Sequence, residues 1–487
     1  MPDVTAQILE GDCTDVMEDD LEDESFHAIV TDPPYGLEFM DRDWDNLSDW
    51  RNDGDFSSPG IGDRDVDWPS YGGNDTANAT CANCGGRERG DNECTCDEPD
   101  FQVKGRSAAE SRAENRVNSA MSQVNWHTRW MEKAYDVLKP GGHMLVFGGN
   151  RTHHYVMMAA EFAGFEIRDT ITWHYGSGYP KGVNVDKKID EMNEEEREVI
   201  GTKTFTQGGG NSLNMREGEE REVEHEYTKP SSEEAEKWEG WNSTLKPATE
   251  YVLVARKPMS EGTIAENVLK HGTGAYNVDA CRIGDIEREK QRSTGEKVSE
   301  NTSMSGANTE REVIGIKEGR HPANVVFDAI EAGKLDEIVG DLPGPWGSNS
   351  DSVNSESSIF GVSGGVDNEK WASDSGGPSR YFYTSKASKK ERTVDGELEN
   401  DHPTVKPVDL MEWLVRLVTK EGQRVLDPFS GSGTTVLATW NTARSGVGIE
   451  RESKHAETAR ERLEANKTNR SAVGTKPTHD HGSALEW

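Results

Sequence analysis

Apolar and polar positions divide this chain into three stretches that read as packed structure and two longer ones that do not. In residues 5–39, Ala6-Gln7-Ile8-Leu9 runs into Gly11-Asp12-Cys13, and Phe26-His27-Ala28-Ile29-Val30 runs into Thr31-Asp32-Pro33-Pro34-Tyr35-Gly36. Short apolar runs closed by turn residues are the pattern of strands buried in a parallel sheet. In residues 126–180, Trp126, Trp130, Met131, Ala134, Val137 and Leu138 recur at helical spacing, and Pro140-Gly141-Gly142 is expected to stop that helix. A strand over 143–147, a helix over 152–163 and a strand over 165–173 follow. In residues 402–467 the pattern predicts a helix over 408–419, a strand over 424–426, a Gly-rich turn leading into a helix, a strand over 445–449 and an amphipathic helix over 453–466.

Between these lie residues 40–125, rich in Asp, Gly, Asn and Ser, and residues 181–400. The latter mix charge runs such as Glu194-Glu195-Glu196-Arg197 with short apolar segments at 251–255 and 325–327. Such composition predicts much loop. The expected partition is one α/β domain in three parts (1–39, 126–180 and 401–467), a flexible insert at 40–125, a second insert at 181–400 and a disordered tail at 468–487.

Charge changes the picture. Asp and Glu number 90 against 54 Lys and Arg, a formal charge of −36. An excess of this size keeps a chain hydrated but repels a polyanion, where a nucleic-acid enzyme ordinarily shows a basic face. The preferred explanation is a halophilic cytoplasm, in which molar salt shortens electrostatic reach to about 3 Å; the alternative is that the acidic loops are simply solvated. The first thirty residues lack a basic segment followed by an apolar one, and no run of about 18 apolar residues occurs, so neither a secretory signal nor a membrane span is predicted. Six cysteines in so long a chain make no disulfide framework. These readings point to a cytoplasmic protein.

Candidate chemistry begins at Asp427-Pro428-Phe429-Ser430-Gly431-Ser432-Gly433-Thr434-Thr435, between a predicted strand and a predicted helix. That is where open α/β sheets bind ligands. Glycines admit close backbone approach, and a helix start favours a carboxylate or phosphate. Glu450, at the end of the next strand, can accept hydrogen bonds from ribose hydroxyls. Alone, the loop also fits a dinucleotide-binding dehydrogenase or a plain tight turn; no Gly-Lys-Ser/Thr follows, so it is not a P-loop.

Asp32-Pro33-Pro34-Tyr35 ends another predicted buried strand. The prolines stiffen the turn and leave a carbonyl free. A carboxylate and a carbonyl together suit an –NH₂ donor, and the Tyr35 ring offers a stacking face for a planar base. Methylation of an exocyclic amine requires such a pair of acceptors, because the nitrogen lone pair must be drawn out of the ring. Read alone, the tetrapeptide could equally be a Pro-Pro turn with a surface tyrosine.

With His402-Pro403-Thr404-Val405-Lys406-Pro407, these motifs resemble, in content and order, the permuted β group of amino-directed DNA methyltransferases, the N6-adenine/N4-cytosine DNA methylases. The resemblance covers about 1–39, 126–180 and 402–467. It implies a permuted Rossmann-like α/β sheet, mixed, mainly parallel and seven-stranded, beginning at its middle strands, with a target-recognition region over 181–400. It also implies S-adenosylmethionine as cofactor and double-stranded DNA as partner, the protein acting as monomer or homodimer, with or without a restriction nuclease beside it. Position by position, Asp427, Phe429, Gly431, Gly433 and Thr434 would cradle the methionine part of the cofactor, Glu450 its ribose and Asp12 its adenine, while Thr404 and Lys406 would close over the methionine end. Asp32 and Pro33 would bind the target amine, with Pro34 stiffening the turn and Tyr35 stacking on the flipped base. Methylation of ring carbon is disfavoured, since none of the six cysteines follows a proline. Asp at the first position of Asp-Pro-Pro-Tyr favours adenine N6 over cytosine N4, where Ser is commoner. RNA or protein amide methylation and non-catalytic DNA binding are the rivals.

Two further clusters stand out. Cys81, Cys84, Cys94 and Cys96 have the density of a structural Zn²⁺ knuckle, although the closing Cys-x-Cys is less usual than Cys-x-x-Cys; the alternative is four unpaired thiols in a loop. Arg380, Lys386, Lys389, Lys390 and Arg392, interleaved with Tyr381, Phe382 and Tyr383, form a basic island suited to DNA phosphates and bases, or else a patch paired to acidic neighbours. Arg151, His153 and His154 could line the same cleft.

Overall fold

The structure is a computed structural model that describes residues 4–35, 79–81, 101–103, 108–176, 178, 180, 182–207, 221–297, 309–343, 375–385 and 405–473. The chain divides into two compact units, Met1–Tyr35 with Thr128–Trp487, and Gly36–His127. In the second, strands Ala79–Cys81 and Phe101–Val103 pair antiparallel, with Cys81 opposite Phe101.

The first unit is built on one sheet. Its elements, in chain order, are β1 (Ala6–Glu10), α1 (Cys13–Asp19), β2 (Phe26–Thr31), α2 (Ala108–Val137, which begins in the other unit), β3 (Leu138–Gly148), α3 (His153–Phe162), β4 (Glu166–His174), α4 (Val185–Met192), α5 (Glu233–Glu236), β5 (Thr249–Arg256), α6 (Ile264–His271), β6 (Val325–Asp328), α7 (Ala329–Val339), β7 (Tyr383–Ser385), α8 (Val408–Val418), β8 (Arg424–Asp427), α9 (Thr434–Asn441), β9 (Ser445–Glu450) and α10 (Ser453–Val473). The nine strands lie in the order β1-β9-β8-β2-β3-β5-β4-β6-β7. Every pairing is parallel except the two made by β5, which runs against both β3 and β4. The sheet is therefore α/β, mixed and mainly parallel, as expected.

Two expectations are corrected. Among the described residues the sheet has nine strands where seven were expected, and the first of them in the chain lies at an edge and not in the middle, because β1 pairs there with β9 alone. Three strands, β5, β6 and β7, come from residues 181–400. Their apolar runs are short, yet Val252, Val254, Ala255 and Val326 are all buried, so burial between neighbours rather than length makes them strands. The same span also holds two antiparallel hairpins outside the sheet, Val199–Gln207 with Arg221–Thr228 and Ile283–Lys297 with Thr309–Arg320.

One face of the sheet is covered by α8, whose Leu410, Met411, Trp413, Leu414 and Val415 join Ala28, Val30, Leu145, Phe147, Val252 and Val254 in one cluster. The alternate residues Ile29, Met144 and Val146 are also fully buried, so the second face is covered too. That explains the continuous apolar runs.

Pro140-Gly141-Gly142 does not separate helix from strand. Helix α2 ends at Val137, and β3 starts at the next residue. Between the pairs Phe26–Leu138 and Ala28–His143, β3 takes five residues where β2 takes two, so the Pro-Gly-Gly segment is a bulge inside the strand. Gly141 has φ +77°, and its N–H donates to the Lys257 carbonyl at 3.0 Å. The end of α2 is closed from across the sheet, because buried Lys257 donates to the Tyr135 and Leu138 carbonyls, each at 2.8 Å. Replacing Lys257 with Met leaves both carbonyls without that donor. Urea denaturation should show a loss of about 1–3 kcal/mol in stability with an unchanged m value.

Candidate active site

The parallel strands β1, β9, β8, β2 and β3 end on one edge of the sheet, and the reversed β5 begins there. Asp427 closes β8, and the Gly-rich loop that follows turns into α9 at Thr434. Gly431 (φ +51°) and Gly433 (φ +80°) occupy the left-handed region, which the loop needs in order to turn so sharply. A Cβ at Gly433 would stand 3.0 Å from that of Ala459. Three braces hold the loop. Glu450 accepts from the Gly431 N–H at 2.8 Å, Asp427 accepts from the Phe429 N–H at 3.1 Å, and Arg462 of α10 donates to the Ser432 carbonyl (3.2 Å) and to Thr434 Oγ1 (2.8 Å). Phe429 packs edge-on to Trp130, with ring centroids 5.2 Å apart.

Asp427 is buried and accepts from Thr31 Oγ1 at 2.6 Å, a bond that ties the end of β8 to the end of β2. The cofactor-type loop and the Asp-Pro-Pro-Tyr turn are thus adjacent. Burial pushes the Asp427 carboxyl up to about 6, against the pull of hydrogen bonds from Thr31, Thr435 and the Phe429 N–H.

At the turn itself, Lys406 lies between two carboxylates. Its ammonium is 2.6 Å from Asp32 Oδ2 and 3.2 Å from Glu250 Oε2. The Tyr35 hydroxyl is 2.9 Å from Asp32 Oδ1 and 3.3 Å from Glu250 Oε2, and lies 3.4 Å from the Lys406 Nζ. Side-chain exposure is 9% for Lys406, 19% for Asp32 and 21% for Glu250, so the group is poorly hydrated yet open enough to be reached. The Phe147 ring lies 4.9 Å from the ammonium. Burial pushes Asp32 above the usual carboxylate range, and Lys406 only partly pulls it back. Burial works against charge on Lys406, but its two carboxylate neighbours prevail and hold it protonated. The Tyr35 ring rests against Gly149, where an added Cβ would come within 3.1 Å of it.

The structure brings Asp32, Tyr35, Lys406, Asp427, Phe429, Gly431, Gly433, Thr434 and Glu450 to this edge. The Lys406 ammonium is engaged with Asp32. Asp12 caps α1, accepting from the Thr14 N–H at 2.9 Å. His153 stacks on Tyr251 (4.1 Å, 15°), and His154 packs against Tyr155. Arg380 lies in the turn Pro378–Tyr381, where it donates to the Gly376 and Gly377 carbonyls and to the Tyr381 hydroxyl. Thr404, Lys386, Lys389, Lys390, Arg392, Cys84, Cys94 and Cys96 lie outside the described residues, and of Cys81 only the backbone is described. Among the described residues, no group of three or more His, Cys, Asp or Glu could hold a metal, and no helix is long and apolar enough to cross a membrane.

Sequence reading missed Glu250, Arg462 and Thr31. Glu250 did leave a signal, being an acid at the head of an apolar strand. Arg462, on a polar helix, left none.

The Asp427 shift sets a pH dependence of stability. Unfolded, its carboxyl titrates near 3.8, and folded near 6. Between those values the folded chain holds the extra proton, so the cost of ionising Asp427 grows as pH rises through that window. Asp427→Asn should gain stability relative to the parent as pH rises from about 4 to 6 and hold that gain above, as read from thermal melts across the range.

Comparison with known proteins gives the family. The family model described as DNA methylase, that of the N6/N4 enzymes, matches residues 26–461. The type II methyltransferase M.HindIII of Haemophilus influenzae is 22% identical over 451 residues, 92% of each chain. M2.DpnII of Streptococcus pneumoniae is 48% identical over 69 residues, 14% of this chain and 26% of its own. Among solved structures, M1.HpyAVI in complex with SAM (14% identity, TM-score 0.34) is matched over 94% of this chain and 98% of its own. The cytosine-N4-specific PvuII DNA methyltransferase (12% identity, TM-score 0.39) is matched over 99% and 98%. Because the family match runs from residue 26 to residue 461 of 487, the chain belongs to the N6/N4 DNA methylases and is a DNA methyltransferase.

Proposed function

We propose that the protein transfers the methyl group of S-adenosylmethionine to N6 of an adenine flipped out of double-stranded DNA. The observation that carries this reading is the Thr31–Asp427 bond, which holds the Asp-Pro-Pro-Tyr turn beside the Gly-rich loop on one sheet edge. The residues present fit the cofactor. The loop glycines open the backbone, and Gly433, as N-cap, gives α9 no side-chain acceptor, so the start of the helix is left to a carboxylate such as that of the methionine part. The buried Ser430 Oγ has no hydrogen-bond partner among the described residues. Asp427, Phe429, Gly431, Gly433 and Thr434 would hold the methionine part, and Glu450 the ribose.

Bound there, S-adenosylmethionine supplies a methyl carbon made electrophilic by a sulfonium. Asp32 accepts a hydrogen bond from the exocyclic amine, which concentrates the lone pair on nitrogen, and the Pro33 carbonyl is the second acceptor. Tyr35 supplies a ring face to the base. No covalent nucleophile is required. Adenine is favoured over cytosine by Asp at position 32.

The assay is methylation of unmethylated genomic DNA with labelled S-adenosylmethionine, in molar KCl because the chain carries a formal charge of −36. Mass analysis of the digested DNA should find N6-methyladenine; N4-methylcytosine would keep the mechanism and change the base. Asp32→Asn should bind the cofactor as the parent does and lose about 10²-fold or more in turnover. An unimpaired Asp32→Asn protein would remove Asp32 from the chemistry.

A further inference from the structure

The charges at the Asp-Pro-Pro-Tyr turn do not cancel. Asp32 and Glu250 contribute two carboxylates, and Lys406 one ammonium within 3.2 Å of both. Two carboxylates meeting at the Tyr35 hydroxyl, at 2.9 and 3.3 Å, repel each other strongly in a poorly hydrated place unless a cation stands between them. Lys406 is that cation. With Glu250 taken away, Asp32 and Lys406 would form a closed neutral pair. With Glu250 present, Lys406 is shared and one negative charge is left over.

We propose that Glu250 is a positioning residue for methyl transfer: by sharing Lys406 with Asp32 it leaves the Asp32–Lys406–Glu250 group with one uncompensated negative charge beside the place where the amine nitrogen turns positive. In the transfer, the N–CH₃ bond forms while the S–CH₃ bond breaks with its electron pair going to sulfur. The nitrogen then carries a positive charge until one N–H proton leaves, to Asp32 and from there to water. A net negative site fixed in advance lowers the cost of that charge most where water is scarce. The placement of Glu250 follows from the sheet. It is the second residue of β5, the one reversed strand of the sheet among the described residues, and is paired opposite Trp173 of β4, so its side chain meets the carboxyl ends of the parallel strands. The inference rests on the assignment of Asp32 as acceptor of the amine.

The groups facing Asp32 are Tyr35 from its own turn, Glu250 from β5, Lys406 from the segment before α8 and Asp427 from β8. Glu250 raises the Asp32 pKa and Lys406 lowers it. The test is single-turnover methylation against pH for Asp32→Asn, Glu250→Gln, Glu250→Asp and Lys406→Met, with S-adenosylmethionine affinity and the KM for DNA measured alongside. Glu250→Gln should cut the transfer rate about 10–10²-fold, leave both binding constants within about twofold of the parent, and move the acid limb of the rate profile to lower pH. Lys406→Met should move that limb to higher pH, and Glu250→Asp should restore part of the rate. A Glu250→Gln protein with parental rate and an unmoved acid limb, beside an inactive Asp32→Asn, overturns this inference alone. So does a loss confined to binding. An active Asp32→Asn overturns both this inference and the assignment beneath it.

Discussion

Strand β5 runs against its neighbours, and the site depends on that reversal. A parallel strand in this position would end, not begin, at the functional edge, and its opening residue would lie at the far side of the sheet. Reversed, β5 delivers Glu250 to the edge while its apolar body, Val252 to Ala255, fills the space between β3 and β4. The central packing of the sheet and the placement of Glu250 are set by the same eight residues.

Much of this was legible beforehand. The strands β2, β3 and β8 hold apolar runs, Ala28–Val30, Met144–Phe147 and Val425–Leu426, because both faces of the sheet are covered, and the turns after β2 and β8 are dense in Gly, Pro and Asp. What was not legible was pairing. Nothing in Tyr251–Arg256 distinguishes a strand running up from one running down, and β6 and β7 have only four and three residues. Lys406 could be placed near the site by its motif, but its bonds to Asp32 and Glu250 exist only once strands far apart in sequence meet. Pro140-Gly141-Gly142 misled because the same residues that stop a helix also make a strand bulge; the donor that decides between these, Lys257, lies more than a hundred residues away.

The acidic composition has an internal counterpart. Among the described residues, Arg256, Lys257, Arg320, Lys406, Arg444 and Arg462 are buried. Several of them brace backbone: Arg444 donates to the Thr419 carbonyl at 2.7 Å, and Arg462 to that of Ser432. Among the described residues these six outnumber the buried Asp186, Asp190 and Asp427, so the described surface is more acidic than its residue count implies.

The contact between Lys406 and Asp32 joins positions 374 residues apart, and β1 is held in the sheet by β9. During synthesis the first strands emerge long before their partners, so the Asp-Pro-Pro-Tyr turn waits on the ribosome without the lysine that balances it. Contacts of such sequence separation form late and slowly. A nascent chain therefore carries the Asp-Pro-Pro-Tyr turn well before it carries the Gly-rich loop that the Thr31–Asp427 bond sets beside it.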